Sequence, residues 1–106
     1  MKGDKLGEFE ELMLLAVLAL DPPVYGVPLQ QYLEQAGQRS VAMGAVYSAL
    51  DRLEAKGLVR SVLGEATAQR GGKAKRLYTA TPAGVRVVRD VRRVRDRLWR
   101  AIEDHQ

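Results

Sequence analysis

Residues 44–59, GAVYSALDRLEAKGLV, constrain the fold of this chain more than any other segment. Val46, Leu50 and Leu53 are spaced four and three residues apart, so they lie on one face of a helix. Gly57 follows at the position where a left-handed residue ends a helix, and an extended run begins directly after it. The segment therefore predicts an amphipathic helix that packs on a core and presents a narrow polar surface on its other side.

The size and composition of the chain favour a binding protein over an enzyme. At 106 residues it accommodates one domain with one appended element. It contains no cysteine, which excludes a disulfide framework, a thiolate metal site and a cysteine nucleophile. The single histidine, His105, lies beside the C-terminus, and the carboxylates form helix-surface pairs such as Glu8 and Glu11. We expect no catalytic residues, no metal site and no cofactor.

The N-terminal part of the chain predicts a cytoplasmic protein with no membrane partner. Its first residues, MKGDKLGEFEEL, lack the uninterrupted apolar core of a signal peptide. The apolar run at residues 12–20 is far shorter than the roughly 20 residues that span a bilayer.

Charge is distributed unevenly along the chain. Residues 1–38 hold two basic and six acidic groups, residues 39–76 hold eight and three, and residues 77–106 hold seven and four. A basic middle and end beside an acidic start suit a surface that meets a polyanion on one side. A mixed, solvated surface is the alternative that charge alone leaves open.

Two helices are predicted before residue 44. The first covers residues 8–20 and is apolar nearly all round, which suggests burial on more than one side. The second runs from Tyr25 or Gly26 to Ala36, with Leu29, Tyr32 and Leu33 facing the core and Gly37 as its cap. The order of helix, short glycine-containing turn and helix is that of a helix-turn-helix unit.

A β-hairpin is predicted to follow the third helix. Residues 58–63 and 76–81 read as strands, although the apolar residues do not decide which face of the first strand is buried. The segment between them is rich in glycine and basic residues, with its tip at residues 70–73. Its Gly-Gly pair lacks the setting of a phosphate-binding loop. A hairpin directly after a helix-turn-helix unit is a wing.

The last predicted helix begins at Pro82, with Thr81 as its N-cap, and runs to about Glu103. Gly84 is a mild weakness inside it. Its apolar residues form a short heptad seam that suits pairing with a second subunit. We assign residues 1–81 to a winged helix-turn-helix domain of the mostly α (α+β) class and residues 82–106 to a C-terminal dimerisation helix. The predicted dimer interface consists of Phe9, Leu12, Val87, Val91, Val94, Leu98, Trp99 and Ile102.

Three stretches of this sequence resemble the PadR family of bacterial transcriptional regulators. They are Tyr25-Gly26, the pattern Y-x-x-L-x-R-L-E-x-x-G-L that begins at Tyr47, and KRLYTATPAG at residues 75–84. The single C-terminal helix is similar to that of the smaller PadR subfamily. The resemblance implies a winged-helix homodimer that binds double-stranded operator DNA. It also implies a regulator that usually acts as a repressor and is released by a small molecule or a stress signal.

Six residues are the candidate DNA-binding set: Tyr47, Ser48, Arg52, Arg70, Lys73 and Lys75. The first three lie on the recognition helix and the others on the wing, where basic residues suit the DNA backbone. Tyr47 has core packing as its alternative, and Arg52 has pairing near Glu54 or solvation. Because Ala42 and Ala45 offer no hydroxyl at the leading end of the helix, we expect DNA shape to supply part of the specificity.

Trp99 is the only tryptophan, and it lies next to the predicted seam. It is predicted to pack at the dimer interface or to form an effector pocket for a small hydrophobic molecule together with Phe9 and Met13. Two alternative functions follow, a multidrug-type sensor with its site at the dimer interface and a winged-helix protein-interaction module that binds no DNA.

Overall fold

The computed structural model describes residues 6–64 and 75–105, and it has the winged-helix architecture that the sequence predicts. In chain order the elements are α1 (Glu8–Ala19), α2 (Gly26–Gly37), α3 (Met43–Ala55), β1 (Val59–Leu63), β2 (Arg76–Ala80) and α4 (Pro82–Asp104). Across these two ranges, no helix combines the length and the apolar character needed to cross a membrane.

The core lies where α1, α2 and α3 pack against one another. Val46, Leu50 and Leu53 are fully buried, which confirms the apolar face predicted for α3. Leu29 and Leu33 are buried as predicted, but Tyr32 is 38% exposed, so its assignment to the core was wrong. Tyr32 lies three residues after Leu29 and next to Leu33, at the edge of the buried face of α2. Helical spacing alone does not show where that face ends.

Left-handed residues follow two of the helices. Gly57 has φ of 75°, as its predicted role in ending α3 requires. At the end of α2 the left-handed residue is Gln38, with φ of 55°, whereas Gly37 is the last helical residue. The predicted cap at Gly37 is therefore displaced by one position.

The wing is an antiparallel hairpin of β1 and β2, in which Val59 pairs with Ala80 and Ser61 with Tyr78. Val24 extends the sheet by one bridge, because its backbone N–H and C=O both bond to Tyr78, at 3.0 and 2.6 Å. Val59 and Tyr78 are buried, so the face that carries them packs on the helices. This settles the facing that the sequence left open.

Helix α4 begins as predicted and is locked to the end of α3. The Thr81 hydroxyl accepts a bond from the Gly84 N–H at 3.1 Å and donates to the Gly57 carbonyl at 2.7 Å. A Cβ on Gly84 would lie 2.2 Å from the Leu58 carbonyl oxygen. Gly84 is therefore a close-approach site that lets α4 reach the core, and not the simple weakness that the sequence suggested. Gly84 and Val88 are buried, so the first turns of α4 belong to the core.

Candidate nucleic-acid interface

Helix α3 presents one polar face outward, made of small or hydrophilic side chains. Gly44, Ala45, Ser48, Asp51 and Ala55 are exposed along it. Ser48 lies four residues after Gly44 and three after Ala45, and the other two follow at spacings of three and four, so the five form one stripe opposite the buried face. Because these side chains are short, α3 can approach another molecule closely along this stripe.

Tyr47 stands at one edge of this stripe, with its ring against the start of α2. A Cβ on Gly26 would lie 2.6 Å from the Tyr47 hydroxyl oxygen and 2.7 Å from Cζ, so only glycine leaves room for the ring. Tyr47 nevertheless remains 42% exposed. The Tyr47 ring therefore packs on α2 and still has an accessible surface, so the predicted alternatives of packing and DNA contact are compatible.

Lys75 continues the surface from α2 to the wing. Its Nζ lies 3.7 Å from the centroid of the Tyr25 ring, within the range of a cation–π contact. Tyr25 is the N-cap of α2 and precedes Gly26, against which Tyr47 packs. The outward face of α3, the start of α2 and the base of the wing thus form one connected surface.

Arg52 stands at the opposite edge of the stripe and pairs with α1. Its Nε donates to Glu10 Oε2 at 2.7 Å, while Lys56 Nζ donates to Glu10 Oε1 at 2.5 Å. Glu10 is 7% exposed, whereas the Arg52 side chain is 51% exposed. The partner of Arg52 is thus a carboxylate on another helix, and not one near Glu54 as the alternative supposed.

The pKa of Glu10 reflects this environment. Burial raises the pKa of the carboxyl group, but hydrogen bonds from Lys56, Arg52 and the Gly7 backbone N–H outweigh it and leave the pKa lowered. Glu10 therefore stays charged at neutral pH and holds both cations.

A second polar cluster fixes the wing to α3. The Ser61 hydroxyl bonds to both carboxylate oxygens of Glu54, at 2.9 and 2.8 Å. Arg76 Nη1 donates to the Ser61 oxygen at 2.9 Å. Hydrogen bonds, as well as the apolar core, therefore restrain the angle between the hairpin and α3.

The remaining wing candidates, Arg70 and Lys73, lie outside the described residues. Among the described residues, no group of three or more His, Cys, Asp or Glu side chains is arranged to hold a metal ion.

An apolar stripe runs along the far half of α4. Val94, Leu98, Trp99 and Ile102 are 48 to 61% exposed, and from Arg92 onward every described residue of α4 is exposed. Val87 and Val91 are partly buried, and Val87 packs against the core. The predicted interface residues on α4 therefore change from core packing to open surface along the helix.

Helix α1 contacts α4 and also carries exposed apolar side chains. Arg95 donates to Glu11 through Nη2 at 2.8 Å and through Nε at 3.3 Å, which holds the two helices together. Leu12 and Leu15 on α1 are 40% and 43% exposed. The exposed apolar side chains of the two helices provide a surface suited to a second subunit.

The structure separates the three residues predicted to form an effector pocket. Phe9 lines a cleft of about 130 Å³ between α1 and α2, together with Leu12 and Leu33. Neither Trp99 nor Met13 lines it. Met13 is fully buried in the core, whereas Trp99 is on the open surface of α4.

Sequence reasoning missed Glu10 and Ser61, which bind the side chains of α3 beside this candidate site. Glu10 sits in the first turn of α1, where an acid is already explained by the helix dipole. Its partner on α3 is 42 residues away in the chain. No local signal in the sequence joins the two residues. The one available sign is that Glu10 is three and four residues before Met13 and Leu14, on the buried face of α1, where a carboxylate needs a partner.

Comparison with known proteins agrees with this architecture. Residues 14–90 match the model of the transcriptional regulator PadR-like family. The chain is 41% identical over 86 residues to Transcriptional regulator Rv3488 of Mycobacterium tuberculosis, covering 79% of this chain and 74% of that protein.

Solved structures share the fold. A PadR-like transcription factor from Bacteroides fragilis superposes with a TM-score of 0.76 at 22% identity, covering 92% of this chain and 89% of the other. A PadR family transcriptional regulator from Eggerthella lenta gives a TM-score of 0.72 at 26% identity, with 92% and 84% covered. The extent of the family match and the identity to the mycobacterial protein show that this chain belongs to the PadR-like family of transcriptional regulators.

Proposed function

We propose that this regulator binds double-stranded operator DNA as a homodimer, with α3 in the major groove and the wing on the backbone. The observation that carries the proposal is the connected surface from the stripe of α3 through Tyr47 and Tyr25 to Lys75. A helix enters the major groove, and basic side chains beside it bind phosphates.

Individual residues have distinct roles in this proposal. Ser48 lies in the exposed stripe and reaches a base edge or a phosphate. Tyr47 and Arg52 flank the stripe and contact the two backbones that border the groove. Lys75, with Arg70 and Lys73 from the wing, neutralises phosphates. These contacts give affinity, whereas the short side chains of α3 leave part of the specificity to DNA shape.

The exposed apolar stripe of α4 and the neighbouring surface of α1 support the proposed dimer. Large apolar side chains at 48 to 61% exposure are better covered by a second copy than left in water. In a twofold dimer the two copies of α3 meet half-sites that are related by symmetry and about one DNA turn apart.

We further propose that the protein is a repressor released by a small hydrophobic molecule that binds beside Trp99. Trp99 is 61% exposed on the dimerisation helix, so a flat ligand stacked on it lies between the subunits. The 130 Å³ cleft beside Phe9 is smaller than the roughly 300 Å³ of the smallest typical ligand pockets, which favours a site completed by both subunits.

Selection of duplexes from a random pool, followed by anisotropy titration over a range of salt concentrations, tests DNA binding. We expect a near-palindromic site and an affinity that falls steeply with salt, because phosphate contacts release counterions. Absence of any selected sequence would argue against the proposal. Quenching of Trp99 fluorescence by aromatic drugs, with release of the selected duplex, tests the effector site.

A protein-interaction module is the second candidate. Val62 and Leu63 on the wing are 60% and 62% exposed, and Val62 lines a groove of about 340 Å³ with Pro22 and Pro23. This function predicts that reversing the charge of Arg70, Lys73 and Lys75 leaves activity intact, whereas DNA binding predicts its loss.

A further inference from the structure

Glu10 on α1 pairs with two basic side chains, Arg52 on α3 and Lys56 directly after α3. Its two oxygens are used separately, Oε2 by Arg52 at 2.7 Å and Oε1 by Lys56 at 2.5 Å. The Gly7 N–H also donates to Oε1, at 3.3 Å. With 7% exposure and donors on both oxygens, the carboxylate has little freedom to move. The carboxylate is therefore a fixed hydrogen-bond acceptor for the Arg52 side chain.

Arg52 has donors left after this contact. A guanidinium group carries five N–H donors, of which the Nε–H bonds to Glu10. Within residues 6–64 and 75–105, no other acceptor of Arg52 is found. Its side chain is 51% exposed at the edge of the α3 stripe, so the terminal Nη groups remain available to an anion outside the protein.

The hydrogen bond from Arg52 to the buried Glu10 carboxylate fixes the orientation of the guanidinium group. An untethered arginine samples many rotamers, and ordering it on binding costs conformational entropy. Held through Nε, the planar group is already oriented before it meets a phosphate, so less freedom is lost on binding.

We propose that Glu10 is a positioning residue for DNA binding, which orients Arg52 so that its Nη donors meet a backbone phosphate. This inference rests on the proposed DNA-binding function and adds to it a residue on α1 that itself touches no DNA. It also makes α1 part of the DNA-binding machinery, although its other contacts are with the core and α4.

The experiment compares wild type, Glu10→Gln and Glu8→Gln in binding to the duplex selected by the wild-type protein. Glu8 is the matched control because it is an exposed acid in the first turn of the same helix. We expect Glu10→Gln to weaken binding about tenfold and Glu8→Gln to stay within about twofold. Thermal unfolding of each variant is recorded in parallel.

A double-mutant cycle separates positioning from a general structural effect. If Glu10 acts through Arg52, adding Glu10→Gln to Arg52→Ala changes affinity by less than about twofold, although it still lowers the unfolding temperature. Where Glu10→Gln does not fold, Glu10→Asp takes its place, because it keeps the charge but shortens the reach to Arg52.

Two results would overturn the inference. One is a Glu10 variant that binds the duplex as tightly as wild type, which would show that Glu10 does not affect binding, or more tightly, which would show that Glu10 withholds Arg52 from DNA. The other is a loss of affinity that persists undiminished in the Arg52→Ala background. In both cases wild-type binding is intact, so the proposed function stands. A wild-type protein that selects no duplex defeats the proposed function and this inference together.

Discussion

The hydroxyl oxygen of Tyr47 lies 2.6 Å from the point where a Cβ of Gly26 would be, so α2 and α3 meet through a tyrosine ring on a bare backbone. Gly26→Ala should displace the ring, because its atoms occupy the space of the new methyl group. Tyr47 is 42% exposed, which allows the ring to swing outward, so we expect the free energy of unfolding to change by about 1 kcal/mol or less. Affinity for the selected duplex should fall by about tenfold, measured by anisotropy.

Gly37→Ala is the control for this change. Gly37 ends the same helix, and its nearest neighbour to an added Cβ is Arg39 Cγ at 3.9 Å, an ordinary contact. It should leave DNA affinity unchanged. Equal affinities of the two variants would contradict the role given to the Gly26–Tyr47 contact.

Gly84→Ala should destabilise the fold far more than Gly26→Ala. Its Cβ would meet the backbone oxygen of Leu58 at 2.2 Å, and a backbone atom has no rotamer through which to move away. We expect a loss of about 3 kcal/mol in the free energy of unfolding, measured with urea. At Gly44 an added Cβ meets nothing within 4 Å, so Gly44→Ala should leave stability unchanged or raise it by up to about 1 kcal/mol. Similar losses at both positions would argue against the close approach of α4.

Ser61→Ala and Ser48→Ala should separate stability from DNA binding. Ser61 bonds to Glu54 and accepts from Arg76, so its removal should cost about 1 to 2 kcal/mol of unfolding free energy. Ser48 is exposed on α3, and its replacement by a better helix former should not lower stability. Its loss should instead weaken binding to the selected duplex. Calorimetry and anisotropy on both variants check the two effects, and the opposite pattern would refute both assignments.

The lowered pKa of Glu10 should make stability depend on pH in the acid range. Because the unfolded carboxyl has its ordinary pKa of 4.5, the unfolded chain takes up the proton first as pH falls. The stability that Glu10 supplies is therefore complete above about pH 4.5 and is lost as pH falls through the lower pKa of the folded state. Urea unfolding from neutral to acid pH should show a loss in wild type that is smaller in Glu10→Gln. Parallel curves for the two proteins would contradict this link.

The order of elements was readable from the sequence because each helix carries its own local signals. Val46, Leu50 and Leu53 define the buried face of α3, and Gly57 and Pro82 mark where α3 ends and α4 begins. These signals depend on periodicity and backbone preference within a few residues, which no tertiary contact has to supply.

The contacts that organise the candidate site were not readable in the same way. The pairing of Glu10 with Arg52 joins residues 42 positions apart, and either residue has an adequate local explanation without the other. Likewise, the need for glycine at position 84 arises only when Leu58 is brought against it. Both depend on how the helices are placed, which single-residue patterns do not encode.

Leu98→Glu should convert the proposed dimer into a monomer. Leu98 is 60% exposed in the middle of the apolar stripe of α4, between Val94 and Ile102. In a twofold dimer the substitution occurs twice, and each copy removes about 1.5 to 3 kcal/mol of apolar burial and adds a charge to the interface. Sedimentation should show the mass of one chain, with operator affinity reduced because two half-sites are no longer bound together. Arg100→Glu on the opposite face of α4 is the control and should remain dimeric. A dimeric Leu98→Glu protein would show that the subunits meet elsewhere.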